Sequence, residues 1–247
     1  MSRLATRAIR VHQKLLEAFG EPRWRNPLAP ISELVSTILS QNTNDLNRDR
    51  AFRGLRERFP SWEAVRDSRK SEVIAAIRVA GLANQKGPRI QNVLREISRE
   101  RGGLDLSFLK NIPLEEAREW LMKFRGVGPK TAAIVLLFSL GRPAFPVDTH
   151  IYRVTGRIGL RPAKMSLEQA HLHLESLFPP ETYYAAHLNL IRLGRQVCHP
   201  RRPDCPNCPV RGLCDYEPKT KSIAAKGRGR SQTLHIKALE PGAQGRG

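Results

Sequence analysis

Two side chains and one run of cysteines carry the chemistry legible in this chain. Lys130 is the second residue of a helix expected to open at Pro129. A helix N-terminus is the positive end of the helix dipole and disfavours a protonated amine. Lys123 and Arg125 stand close in sequence and push the same way. A lysine near its ordinary pKa of ~10.4 is a poor nucleophile at neutral pH until such neighbours lower it. Deprotonated, it could attack a sugar C1′, displace what that carbon carries and leave a Schiff base. Further along, Asp148 sits in Pro146-Val147-Asp148-Thr149-His150-Ile151-Tyr152-Arg153, ahead of an apolar helix. Its position is that of an N-cap, which is a structural reason for an acid. A carboxylate can also stabilise oxocarbenium character as a glycosidic bond breaks, and can help activate the amine. The two roles are compatible.

The four cysteines all fall in one stretch, Cys198, Cys205, Cys208 and Cys214, spaced C-x6-C-x2-C-x5-C. Four thiolates so close together suit one soft-metal centre. A zinc ribbon would show two distant C-x-x-C pairs, and only Cys205 and Cys208 form such a pair. The chemistry alone leaves iron–sulfur and zinc both open. Between the first two ligands lies His199-Pro200-Arg201-Arg202-Pro203-Asp204, so a metal-pinned loop would present Arg201 and Arg202 rigidly to phosphates. A disulfide-stapled secreted domain would scatter its cysteines and carry an export signal. The start of the chain reads instead as an amphipathic helix with Leu4, Ile9, Leu15 and Leu16, stopped at Gly20.

Charge points to the partner. The 247 residues hold 42 Lys and Arg against 23 Asp and Glu, a net +19, which calls for a polyanion and first of all nucleic acid. The excess is spread along the chain and not gathered on one amphipathic helix, which argues against a membrane surface. The longest apolar run, Ala132 to Leu140, falls short of the about 18 residues of a membrane span. From Lys219 onward seven basic residues face Glu240 alone among Gly, Ser, Ala and Gln. That tail is expected to be disordered, with Leu234, Ile236 and Leu239 as a short docking patch.

The elements that must position these residues are helices. Periodicity predicts them over 5–19, 30–41, 46–58, 71–80, 84–99, 114–124, 129–140, 148–158, 166–178 and 181–195, which makes the fold all-α. Ser166-Leu167-Glu168-Gln169 reads as a capping box, and Pro113 opens a helix with acids in its first turn. Phe124-Arg125-Gly126-Val127-Gly128-Pro129-Lys130-Thr131 lies between two apolar helices. Gly126 and Gly128 allow a tight turn with outward amides, and the helix start beyond can bind a phosphate. The pattern resembles a helix–hairpin–helix, which grips DNA backbone without reading sequence. Gln41 and Asn42 end one buried helix, and Leu82 lies in Gly81-Leu82-Ala83-Asn84-Gln85-Lys86. Amide capping and plain core are the bland readings of these two segments.

Lys130 and Asp148 in these two stretches make the chain similar to the endonuclease III branch of helix–hairpin–helix DNA glycosylases. The resemblance runs from about residue 5 to 216. It implies that Lys130 and Asp148 are the catalytic pair of a bifunctional glycosylase and AP lyase, and that the four cysteines hold a [4Fe-4S] cluster. It implies that Gln41 or, by counting back from Asp45, Asn42 fills the gap left by an extruded base, with Leu82 as a wedge. A six-helix barrel over 29–141 and a cluster domain over 1–28 with 142–216 would flank a DNA cleft, leaving 217–247 as the tail. The expected partner is double-stranded DNA with a damaged base, an oxidised pyrimidine by family expectation, or an abasic site. The chain would be an intracellular monomer, cytoplasmic if bacterial. The chain departs from the pattern at Phe124-Arg125, where the family loop reads Leu-Pro. A monofunctional mismatch glycosylase and a non-catalytic DNA-binding protein on the same fold are the alternatives.

Overall fold

The computed structural model describes residues 2–23 and 26–216, and every regular element among them is helical. The first helix, α1 (Arg3–Phe19), is capped by Ser2, whose hydroxyl accepts from the Ala5 amide at 3.1 Å. It stops at Gly20, where φ is +78°. Its buried stripe is Ala8, Val11 and Leu15, while Leu4, Ile9 and Leu16 are only partly covered.

Helices α2 (Pro30–Ser40), α3 (Asp45–Arg58), α4 (Trp62–Asp67), α5 (Lys70–Ala76), α6 (Ala83–Arg101), α7 (Leu114–Met122) and α8 (Pro129–Ile134) surround one apolar core. Leu34, Ile38, Leu55, Ile77, Ile90, Leu94 and Leu136 are fully buried there. A second core gathers α1, α9 (Thr149–Ile158), α10 (Leu167–Glu175) and α11 (Tyr183–Gln196) around Val11, Leu15, Phe145, Val147, Ile151, Val154 and Leu190. Each helix thus buries one stripe against its neighbours, as amphipathic sequences must.

The cores meet where α8 runs on as a π-helix, Val135–Ser139. Its wider turn changes the face that successive residues present. Leu136 packs in the first core and Leu137 in the second. A buried ion pair crosses the same seam: Arg118 of α7 meets Glu175 of α10 at 2.8 Å, with side chains 7% and 14% exposed. The other Glu175 oxygen accepts from the Phe145 amide at 2.8 Å.

Several boundaries differ from the sequence expectation for physical reasons. Helix α4, started by the Ser61 cap, is six residues long, too short to show a helical period. The expected helix 71–80 breaks after Ala76 into a 3-10 turn, Arg78–Ala80. Asp148 and Ser166 are N-caps, as their sequence context predicts, so their helices begin one residue later than the predicted ranges, and the helix after Pro113 begins at Leu114 as predicted. The capping box is present, with both Ser166–Gln169 bonds at 3.1 Å. Among the described residues no helix is long and apolar enough to cross a membrane. The expected disordered tail, 217–247, with Leu234, Ile236 and Leu239, lies outside the described residues.

Candidate functional site

The turn between α7 and α8 is closed by Val127 donating to the Phe124 carbonyl at 3.0 Å. Its two glycines have different reasons to be there. Gly126 adopts φ +93°, and a Cβ on it would overlap the Arg89 side chain. Gly128, at φ −98°, is the N-cap of α8, and a Cβ there would meet nothing within 4 Å. No intramolecular demand explains Gly128; an approaching ligand backbone would. Neither glycine amide donates to any group among the described residues, and the first amides of α8 have no intrahelical acceptor. Phe124 is buried edge-on to Trp120, ring centroids 4.9 Å apart, which accounts for an aromatic at that position. Lys123, expected to crowd Lys130, is instead ion-paired with Glu100 and lies over the Trp120 ring.

Lys130 is half-buried in the first turn of α8, and Asp148 half-buried at the start of α9. Asp148 Oδ1 accepts from the Ile151 amide at 2.7 Å, so the capping role is real. Oδ2 has no hydrogen bond among the described residues. The two charges share a neighbour that sequence reading missed. His187 of α11 is buried and donates Nδ1–H to the Pro146 carbonyl at 2.9 Å, leaving Nε2 as an acceptor. Burial pushes its pKa down, Asp148 pulls it up and Lys130 pushes it down. His171 of α10 is also held down by burial, to about 4, with Lys130 contributing. Its Nδ1 lies 3.3 Å from the Val147 amide and 3.2 Å from the Phe145 carbonyl, and can serve one of them in a given tautomer. Both rings are neutral at pH 7.

These histidines have a structural cause. Residues 141–148 form no regular structure, yet Ala144–Val147 are buried. Buried backbone groups without a helix or sheet ladder need other partners. Glu175, His171 and His187 supply them and thereby fix the chain that ends at Asp148.

The two loops expected near an extruded base are exposed and unequal. Gln41 is not free: its carboxamide accepts from Arg89 at 2.7 Å and donates to the Gly126 carbonyl at 3.1 Å, tying α2 to the hairpin. It does not cap α2 with its side chain. Asn42 next to it is exposed, with φ +51° and no side-chain hydrogen bond among the described residues. Leu82 is 47% exposed, also at φ +51°, so it is not core. Arg202, at φ +48°, is the third and last non-glycine residue in the left-handed region among those described. Such conformations cost roughly 1–3 kcal/mol each and persist where the surroundings impose them, often at binding sites.

The cysteine loop comes directly after α11. Arg153 of α9 donates to the Cys198 carbonyl at 3.1 Å and the Gly194 carbonyl at 2.8 Å. Arg157 donates to the carbonyls of His199 at 2.7 Å and Pro200 at 2.8 Å, and lies 3.3 Å from Cys198 Sγ. Sequence reading missed both arginines. Arg201 and Arg202 project into solvent. All four cysteines are free and half-buried. Burial, with the other three thiols adding, pushes the Cys208 thiol up to about 11. Clustered thiols of this kind lose protons to a bound cation, so the donor chemistry fits a soft metal group. The side chains are not already arranged to hold one: among the described residues no three His, Cys, Asp or Glu groups stand in a metal-holding set.

Comparison with known proteins gives this geometry a relation. The family model of the HhH-GPD superfamily of base excision DNA repair proteins matches residues 35–180. The chain is 34% identical over 194 residues to endonuclease III of Sulfolobus acidocaldarius, covering 78% of this chain and 83% of that protein. It is 35% identical over 193 residues to a candidate DNA glycosylase of Arabidopsis thaliana, covering 74% of this chain. The chain spans 65% of the length of that plant relative and 9% of the transcriptional activator DEMETER, another Arabidopsis thaliana match. Among solved structures, a trapped covalent intermediate of endonuclease III with DNA aligns with TM-score 0.72 at 27% identity, covering 87% of this chain and 96% of the other. The chain therefore belongs to the HhH-GPD superfamily of base excision DNA repair proteins and, within it, to the endonuclease III family.

Proposed function

We propose that the protein is a bifunctional DNA glycosylase and AP lyase acting on damaged bases in duplex DNA, oxidised pyrimidines first among them. The observation that carries the reading is the placement of Lys130 in the first turn of α8, directly past the hairpin turn, and of Asp148 at the N-cap of α9, both half-buried. A solved endonuclease III trapped as a covalent intermediate with DNA supports a covalent route. In this reading the neutral Lys130 amine attacks C1′ and the C1′–base bond breaks. The base leaves with the bonding pair and takes a proton from solvent. Asp148 stabilises the positive charge at C1′ and accepts the extra amine proton. The C1′–O4′ bond then opens to a Schiff base, and O4′ takes the proton held by Asp148. Loss of a C2′ proton then breaks the C3′–O bond and releases the downstream strand with a 5′-phosphate. Holding the amine and carboxylate at C1′ lets them act there at high effective concentration.

DNA contact in this reading falls on the Gly126–Gly128 turn, Asn42, Leu82, Arg201 and Arg202, along a cleft between a barrel of residues 29–141 and a domain of 1–28 with 142–216. Gln41 serves it indirectly, by bracing the turn. Cys198, Cys205, Cys208 and Cys214 would hold a [4Fe-4S] cluster, which would pin the loop bearing the two arginines. The protein would act as a monomer. The test is borohydride reduction in the presence of lesion or abasic duplex. The intact chain should become covalently linked to DNA and Lys130→Gln should not. Base release without any trapping would favour a monofunctional glycosylase, and neither activity would leave a DNA-binding protein.

A further inference from the structure

Lys86 is a fully buried lysine, 1% exposed, and the one charged neighbour that acts on it among the described residues is Arg89, not a carboxylate. Its ammonium donates to the Leu39 carbonyl at 2.8 Å and the Ala80 carbonyl at 2.9 Å. Those acceptors end two separate elements: Leu39 lies in the last turn of α2, and Ala80 closes the 3-10 turn before α6. Carbonyls at a helix end lack intrahelical donors and form the negative pole of the dipole. They therefore stabilise a buried cation where a carboxylate would otherwise be required. Burial lowers the Lys86 pKa, and Arg89 adds to this.

The residues just beyond these two carbonyls give the arrangement its meaning. Three residues past Leu39 is Asn42, and two past Ala80 is Leu82, the exposed residues that share the left-handed conformation at φ +51°. We infer that Lys86 is a positioning residue that clips these two loops into one rigid unit, so that Asn42 and Leu82 enter the duplex together. The inference deepens the proposed function and rests on its assignment of these tips to DNA. A single ammonium serving both loop bases fixes their separation, because neither carbonyl can move without losing a charge-assisted bond in a dry site. The Asn42 tip is held from a second side by Gln41, which Arg89 and the Gly126 carbonyl fasten to the hairpin.

Lys86→Met keeps the volume and removes both bonds. On a paired lesion, which must be extruded and its gap filled, single-turnover excision should fall on the order of tenfold. Borohydride trapping on a preformed abasic duplex, with no base to extrude, should fall less than about threefold. A 2-aminopurine opposite the lesion should brighten less in the variant complex. Equal losses on both substrates, or none, would overturn the role of Lys86. If Lys86→Met does not fold, Asn42→Ala, Leu82→Ala and the double variant decide in the unaltered background. A double loss smaller than the product of the single losses supports a clipped unit, and a simple product overturns it. Failure of the intact chain to trap or excise would instead overturn the functional reading beneath it.

Discussion

The two ends of the proposed catalytic pair are held by opposite means. Lys130 stands on a helix start defined by local backbone chemistry: a glycine turn, Pro129 at the first position, and amides left free. Asp148 ends a buried, irregular segment whose backbone is satisfied by side chains from α10 and α11. The first arrangement keeps one face open to a ligand. The second is sealed and rigid. A nucleophile must reach a bound sugar, whereas a charge-stabilising carboxylate is useful only if it cannot turn away, since preorganised charge needs no reorientation during reaction.

Breaking the sealed end at its functional tip should give the largest effect. Asp148→Asn preserves an N-cap and removes the charge. It should melt within a few degrees of the parent and lose base excision by on the order of 10³-fold. Retained excision would return Asp148 to capping alone.

Next comes the seam. Glu175→Ala leaves the buried Arg118 with only the exposed Glu115, at 3.3 Å, and the Phe145 amide without its acceptor. Stripping one partner from a buried pair costs about 3–5 kcal/mol. The expected result is a melting temperature lower by roughly 10 °C, with residual activity lost in proportion. A change within error would mean that the segment ending at Asp148 is held by the histidines alone.

Acid should loosen the same region. His171 has its folded pKa depressed to about 4 by burial, below the unfolded value of ~6.5. Between those values the unfolded chain binds more protons, so the contribution of the neutral ring is full above pH ~6.5 and is lost as pH falls toward 4. Melting temperature should decline through that window, and His171→Asn should flatten the decline. Parallel curves for parent and variant would remove His171 from the account.

The smallest effects should separate the two hairpin glycines. Gly126→Ala forces a Cβ into Arg89 at positive φ and should cost about 1–2 kcal/mol of stability. Gly128→Ala meets open space and should leave stability within about 0.5 kcal/mol, while weakening DNA binding severalfold. Unchanged DNA affinity for Gly128→Ala would mean that the open face of the turn is not a contact.

The open end and the Asp148 cap were legible in the sequence, and the side chains that seal the segment before Asp148 were not, for one reason. Pro129, Gly128, Lys130 and the Ser166 box act within a few residues of themselves, so spacing alone exposes them. His171, His187 and Glu175 take their meaning from carbonyls and amides 24 to 41 residues away, which no local pattern reports. The bracing role of Gln41 was hidden for the same reason, since its partners Arg89 and Gly126 are remote. Lys123 could be assigned to Lys130 only until Glu100 claimed it. The cysteine spacing was plain, yet the arginines that wrap the loop come from α9.

The central claim is that the amine of Lys130 forms the bond to DNA, and it is tested most directly by locating that bond. The intact chain is reduced with borohydride on an abasic duplex, digested with protease and nuclease, and the sugar remnant is mapped by peptide mass spectrometry. The account predicts the remnant on Lys130, in the peptide just beyond the Gly126–Gly128 turn. A remnant on any other amine, with Lys130 unmodified, would contradict it.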